Sequence, residues 1–401
     1  MASTPRPTSP PAGRAYAAAL AATALLLLLP VLTVPFPPLV DYPNHLAEGF
    51  ILAHIGDSPR LQANYQTVFA PFPNLAATLT LPLLMQALPP LAAGKALLTL
   101  ILLLWVAGAH LFARAVVGRS SWLAVPIALM AYNSSFYYGF LNYAMSVPIF
   151  LIAFAAWLSW RSSMGPGRFL LLTLLACLCY LGHFSAYAFL GLGCATTLAV
   201  EALSARRLPR SRLLALLPLL PPVALFLTYM GGSGEVGGVI WGDPVEKSIS
   251  FLAPLIGYDR RVDAAVLLLT AAALLLVWRA AYGLTLRRPI LACGLAFAAA
   301  GFATPRVILT SSGADIRFAL PALICLLLAA DLRLPRPAAR AGFALLVAAL
   351  CLKLFGLWGS WTEQSREIAC SVRALATVEE GARILPITLR STDPTEDKRQ
   401  R

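Results

Sequence analysis

Apolar runs of about 17 to 25 residues recur along this 401-residue chain. Each is long enough to cross a hydrocarbon core roughly 30 Å thick. Charge is correspondingly scarce: 12% of residues are charged and 59% hydrophobic, with a mean hydropathy of +0.75. A soluble domain is roughly a quarter charged, so that class is excluded, as are collagen, disordered tails and disulfide-framed miniproteins. The period-2 alternation of an outer-membrane barrel is absent. The expected fold is an all-α polytopic membrane protein.

Eleven spans are expected, at 16–34, 93–113, 121–139, 142–160, 169–182, 186–202, 213–230, 264–282, 289–304, 318–331 and 341–358. The first follows a Pro-rich tail, 1–15, expected to be cytoplasmic and disordered. It is long, and no small-x-small cleavage site follows it, so it reads as an uncleaved span. The apolar stretch 74–91 would be a twelfth. Charge argues against that crossing. With eleven spans, the inner side holds 16 of the 31 basic residues against two acids, Glu201 and Asp331, while the outer loops hold seven basic residues against nine acids. A crossing at 74–91 would put Arg206, Arg207, Arg210 and Arg212 outside, against the positive-inside rule. The segment 74–91 is therefore expected to lie at the outer surface or re-enter. The N-terminus is then cytoplasmic and the C-terminus extracytoplasmic. Net charge of +13 reflects this sidedness and not nucleic-acid binding. Six of the seven cysteines lie in apolar runs and act as small hydrophobes; only Cys370 lies outside them. Two outer loops are long, 35–92 and 231–263. The last segment, 359–401, is polar, with an amphipathic helix expected at 362–380 and disorder at the end.

The outer side collects the chemistry. Asp41-Tyr42-Pro43-Asn44-His45-Leu46-Ala47-Glu48 reads as a helix start, with Asp41 as N-cap and Pro43 in the first turn. Asp41, His45 and Glu48 share one helix face by spacing. The plainer reading is a cap with a solvated polar face. Residues 132–143 interleave rings with Asn133 and Asn142; Tyr138 lies among them. Rings and amides suit a sugar, though aromatics at a membrane boundary also serve simply as anchors. His183 falls at an outer turn, where an ionisable group is either functional or hydrogen-bonded for packing. The outer cations are Lys95, Arg260, Arg261, Arg306 and Arg317. Arg306 and Arg317 flank Asp315, and guanidinium groups suit phosphate; lipid headgroups or an Arg317–Asp315 pair would equally account for them.

An uncleaved first span, a large outer loop opening on an acidic residue, membrane-surface helices and some ten further spans resemble the GT-C superfamily of membrane glycosyltransferases. Protein O-mannosyltransferases and lipid A aminoarabinose transferases are its familiar members. Within it the chain is most similar to bacterial integral membrane proteins carrying Asp-Tyr-Pro-Asn-His-Leu after the first span. The resemblance covers roughly residues 15–380 and implies a bacterial cytoplasmic-membrane location with membrane lipids around it. It implies a polyprenyl-phosphate-linked sugar donor and inversion at the anomeric carbon. Asp41 matches the family's acidic position and would be the general base, or in metal-using branches would hold a divalent cation. Lys95 and Arg317 are placed like its phosphate-binding cations. Two departures stand out: Tyr42 occupies the place of a second adjacent acid, and only about 40 residues follow the last span. A transporter or flippase of lipid-linked glycans, or a non-catalytic envelope scaffold, are the competing classes; the first predicts ionisable groups at mid-membrane depth and broken helices.

Overall fold

The computed structural model describes residues 13–68, 70–205, 210–230, 238–309, 311–379 and 382. Most of the 1–15 tail, Arg206, Arg207, Glu235 and the last ten residues lie outside the described residues. Helix α1 (Gly13–Thr33) leads through an extended stretch to α2 (Tyr42–His54), α3 (Pro59–Asn64) and α4 (Ala76–Met85). There follow α5 (Pro90–Val117), α6 (Ala124–Leu129), α7 (Ser134–Tyr137), α8 (Leu141–Trp160), α9 (Pro166–Gly182) and α10 (Phe184–Ala205). The second half holds α11 (Arg210–Leu214), α12 (Pro221–Met230), α13 (Pro244–Ser250), α14 (Arg260–Ala280), α15 (Arg288–Ala303), α16 (Ala319–Ala329) and α17 (Arg336–Leu375). Among the described residues, six helices are long and apolar enough to cross a membrane: α1, α5, α8, α10, α14 and α17. The other apolar helices run 10–17 residues, so the expected eleven full-length spans are not found as such.

Two of the expected spans are interrupted, each for a reason visible in its residues. In 121–139, α6 ends at Leu129 and the chain turns before α7. Asn133 ends any continuous helix here by starting a new one: its side chain accepts from Phe136 N–H at 3.4 Å, and its amide donates to the Met130 and Ala131 carbonyls at 3.2 and 3.0 Å. Asparagine competes with helical backbone in this way. The segment still runs the length of α1. Trp122 packs edge-on against Tyr16 at 5.6 Å, the Tyr132 hydroxyl donates to the Leu27 carbonyl at 2.8 Å, and Tyr138 O accepts from Asp41 N–H at 3.0 Å. In 213–230, Pro218 sits in a single 3-10 turn, Leu217–Leu219, and Pro221 opens α12. Non-helical backbone at membrane depth needs partners from neighbouring helices. Trp157 Nε1 supplies one to the Ala215 carbonyl at 2.9 Å, and the Tyr187 hydroxyl another to Leu219 at 2.5 Å.

Helix α17 joins the expected last span, 341–358, to the expected tail helix, 362–380, as far as Leu375. It is one 40-residue helix of about 60 Å, with no break between span and tail. Its Trp358 indole donates to Thr33 Oγ1 at 2.8 Å at the end of α1, and two turns further out Ser365 Oγ accepts from Phe36 N–H at 2.9 Å. Helix α4 is ten residues, about 15 Å, half of a crossing. It starts beside Leu181, whose carbonyl accepts from Leu75 N–H at 2.7 Å, and it leads to α5, whose Gly94 lies against Tyr42.

These contacts define two ends. One gathers Tyr16, Trp122, Arg161, Glu201, Arg212, Arg287 and a small antiparallel sheet of β2 (Gly283–Leu286) with β5 (Ala330–Arg333). The other gathers Asp41, Tyr138, His183, Arg317 and a three-stranded sheet in the order β1 (Gly238–Ile240), β3 (Val307–Leu309), β4 (Ser311–Ser312). Between them an aromatic core joins α8, α10 and α15: Phe150 lies 5.7 Å from Phe189 and 6.1 Å from Phe297, and Phe189 lies 5.0 Å from Phe318. Offset and edge-on rings at such spacing add to plain area burial.

Candidate functional site

Helix α2 is held across the start of α5 by close packing. Gly94 faces the Tyr42 ring and Leu46, and Gly49 faces Leu81 of α4. Any side chain at Gly94 would collide with Tyr42, so the start of α2 approaches α5 closely, with Tyr42 and Gly49 its buried residues. Asp41 precedes this helix with helical backbone angles, and its side chain makes no capping hydrogen bond. It takes the N-cap position without the cap's chemistry. Its backbone is fixed instead from the other side. Val40 N–H donates to the Tyr137 carbonyl at 3.2 Å and Asp41 N–H to Tyr138 at 3.0 Å. Gly139 has φ +75° and packs so closely that a Cβ there would sit 2.7 Å from Asp41 N. A half-buried carboxylate is thus presented by a rigid backbone, and no hydrogen bond or ion pair reaches it among the described residues.

The other expected site residues have defined places. His45 and Glu48 face each other at 3.8 Å, and the Thr78 hydroxyl of α4 donates to Glu48 at 3.1 Å. His45 foremost, with Thr78, holds the Glu48 carboxyl below the usual carboxylate range. The pair ties α2 to α4; His45 N–H donates to the Asp41 carbonyl at 3.1 Å, but neither side chain bonds the Asp41 carboxylate. Asn133 is satisfied within its own turn, as described above. Asn142 Oδ1 accepts from Ala77 N–H at 2.7 Å and so caps the start of α4. His183 Nδ1 accepts from Ser185 N–H at 3.0 Å, capping α10 in the turn after α9. Burial, and secondarily Arg317, hold its imidazole well below the usual histidine range.

Tyr138, His183 and Arg317 belong to one arc. Tyr138 is half-exposed and stacks on Phe140 at 5.6 Å. The Arg317 guanidinium lies over Phe140 at 5.2 Å and Tyr143 at 5.8 Å. The Tyr143 ring meets His183 edge-on at 5.4 Å, and its hydroxyl donates to the Arg317 carbonyl at 2.7 Å. Arg317 also donates to Ser312 O at 3.1 Å. Arg306 belongs to a neighbouring ion-pair cluster. It reaches Glu246 at 2.6 Å and Asp315 at 3.7 Å, and Asp315 Oδ1 accepts from Ile316 N–H at 2.9 Å. Lys95, on α5 beside Gly94, and Arg260, exposed at the first residue of α14, have no hydrogen bond or ion pair among the described residues.

Most outer acids are used up by architecture. Asp243 and Asp259 cap α13 and α14, Asp263 accepts from Gly257 N–H at 2.6 Å, and Asp315, Glu246 and Glu48 are engaged as above. Among the described outer-loop residues this leaves Asp41 and Asp57, and Asp57 lies exposed in the corner between α2 and α3; Glu363, Glu367 and Glu379 lie exposed on and after the far stretch of α17. No group of three or more His, Cys, Asp or Glu side chains able to hold a metal ion occurs among the described residues.

Two buried lysines escape the sequence reading. Lys247 Nζ donates to the Phe302 and Thr304 carbonyls at 2.8 and 2.6 Å, closing the C-terminal end of α15, where a cation also offsets the helix dipole. Lys353 of α17 is 2% exposed and donates to the Tyr132 and Pro254 carbonyls at 2.6 Å each. A lone charge inside the 341–358 apolar run was its available signal. Comparison with protein-family models, curated proteins and solved structures gives no match.

Proposed function

We propose that this chain is a membrane glycosyltransferase that moves a sugar from a polyprenyl-phosphate donor to an acceptor at the extracytoplasmic membrane boundary. The observation that carries this reading is the Asp41 carboxylate: half-buried, unengaged, and set on a backbone locked from both sides. A general base needs a positioned carboxylate that no structural bond consumes. Asp41 would take the proton of the acceptor hydroxyl or amine as its lone pair attacks the anomeric carbon. The polyprenyl phosphate leaves with the bonding electron pair. Lys95 and Arg260 are free to neutralise that phosphate, and Arg317 adds positive charge along the arc. The exposed Tyr138 ring offers a face for the sugar's apolar side.

The test is release of polyprenyl phosphate from polyprenyl-phosphate sugars by the full chain in nanodiscs with an envelope acceptor fraction. Release is expected from the wild type, and D41N should lower it at least about 100-fold, the low end for loss of a general base. Equal rates in both would remove Asp41 from the reaction. The second reading, transport of a lipid-linked glycan, draws support from the interrupted segments 121–139 and 213–230 and from Lys353 inside α17. Movement of the intact donor between leaflets of proteoliposomes, without release, would favour it.

A further inference from the structure

The end opposite Asp41 carries a cavity of about 700 Å³, within the range of ligand pockets. Four arginines line it, Arg161, Arg212, Arg287 and Arg288, against one acid, Glu201. Glu201 is already shared: it accepts from Arg161 Nη2 at 2.7 Å and pairs with Arg212. Arg287 reaches Asp331 at 2.8 Å. Arg161 Nε is buried without a hydrogen-bond partner, and Arg288 is exposed with no ion pair among the described residues. Arg287 and Arg288 also sit at the start of α15, where the helix dipole disfavours cations. Positive charge is therefore concentrated against two unfavourable terms, like-charge repulsion and the dipole, and an anion offsets both. Apart from Thr197 and Ser204, the remaining walls are apolar, with Val116, Leu158 and Ile290 among them.

We infer that this cavity binds the phosphate headgroup of an anionic phospholipid, with guanidinium groups on the phosphate and acyl chains along the apolar walls. Arginine forks match phosphate oxygens two at a time, and basic pockets between spanning helices take anionic headgroups. This inference is independent of the reaction proposed for the other end.

The experiment titrates the purified full chain in detergent with phosphatidylglycerol, phosphatidylcholine or inorganic phosphate, following the thermal unfolding midpoint. Phosphatidylglycerol should raise the midpoint and phosphatidylcholine should not. R288Q, which breaks no bond of the fold, should weaken the phosphatidylglycerol response about tenfold, the loss of one charge-assisted contact. R366Q, exposed on the far stretch of α17, should leave it unchanged. Equal responses to the two lipids, or to phosphatidylglycerol in R288Q and wild type, would overturn the site. A response to inorganic phosphate alone would overturn the lipid assignment.

Discussion

Asp41 is set by what surrounds its backbone, so its neighbours are as testable as the carboxylate. Gly139 is the sharpest case. At φ +75° and against Asp41 N, alanine is strained by about 1–3 kcal/mol and pushes on the Asp41 peptide. G139A should therefore lower polyprenyl-phosphate release while the chain still folds, as circular dichroism and gel filtration would report; unchanged release would mean that this backbone contact does not position Asp41. His183 gives a pH prediction. Its folded pKa is depressed, so the unfolded chain binds a proton first as pH falls through about 6.5. Stability contributed by the neutral ring is thus present above that pH and is lost below it. H183N keeps an acceptor for Ser185 N–H and removes the titration. Thermal midpoints of wild type and H183N should converge at pH 7.5 and separate at pH 5.5, with the wild type lower; parallel curves would contradict a neutral capping role.

At the scale of elements, legibility followed length. Long apolar helices such as α1, α5 and α14 are written in their residues, because nothing in an 18-residue apolar run competes with the helix. The interrupted segments were harder. Asn133, Ser134 and Pro126 lower helix propensity, but hydrophobicity alone draws one span over 121–139. Only tertiary partners decide that the break is tolerated: Leu27 O, Lys353 Nζ and the backbone N–H groups of Val40 and Asp41. The site was legible in part for the same reason. Spacing put Asp41, His45 and Glu48 on one face, yet Thr78 of α4, remote in sequence, claims Glu48. Asn142 looked like a sugar ligand until Ala77 N–H came beside it. Lys353 tests the break directly. K353M leaves the buried Pro254 carbonyl without its partner, while Tyr132 O keeps the Tyr137 hydroxyl at 2.8 Å. An unsatisfied buried acceptor costs about 1–3 kcal/mol, so K353M should lower the unfolding midpoint, and protease sites near residues 251–259 should open first. An unchanged midpoint and cleavage pattern would mean the clamp contributes nothing.

The whole molecule is polarised. Arg161, Arg212, Arg287 and Arg288, with Glu201 and Asp331, line one end; the helix-capping acids, the aromatic arc with Arg317, and Asp41 occupy the other. Positive charge collects on the cytoplasmic side, so the proposed orientation has the arginine end inward and the far stretch of α17 outward. Cys370 reports on this without mutation, because it is the one exposed cysteine among the described residues. A membrane-impermeant maleimide should label Cys370 in intact cells; labelling that requires permeabilisation would reverse the orientation and place Asp41 in the cytoplasm. The central claim is narrower: a single carboxylate acts as the base. It is tested most directly by removing that carboxylate and giving one back. In the nanodisc release assay D41A should fall at least about 100-fold, and added formate should recover part of the lost rate. Release by D41A at the wild-type rate, with no response to formate, would contradict the account.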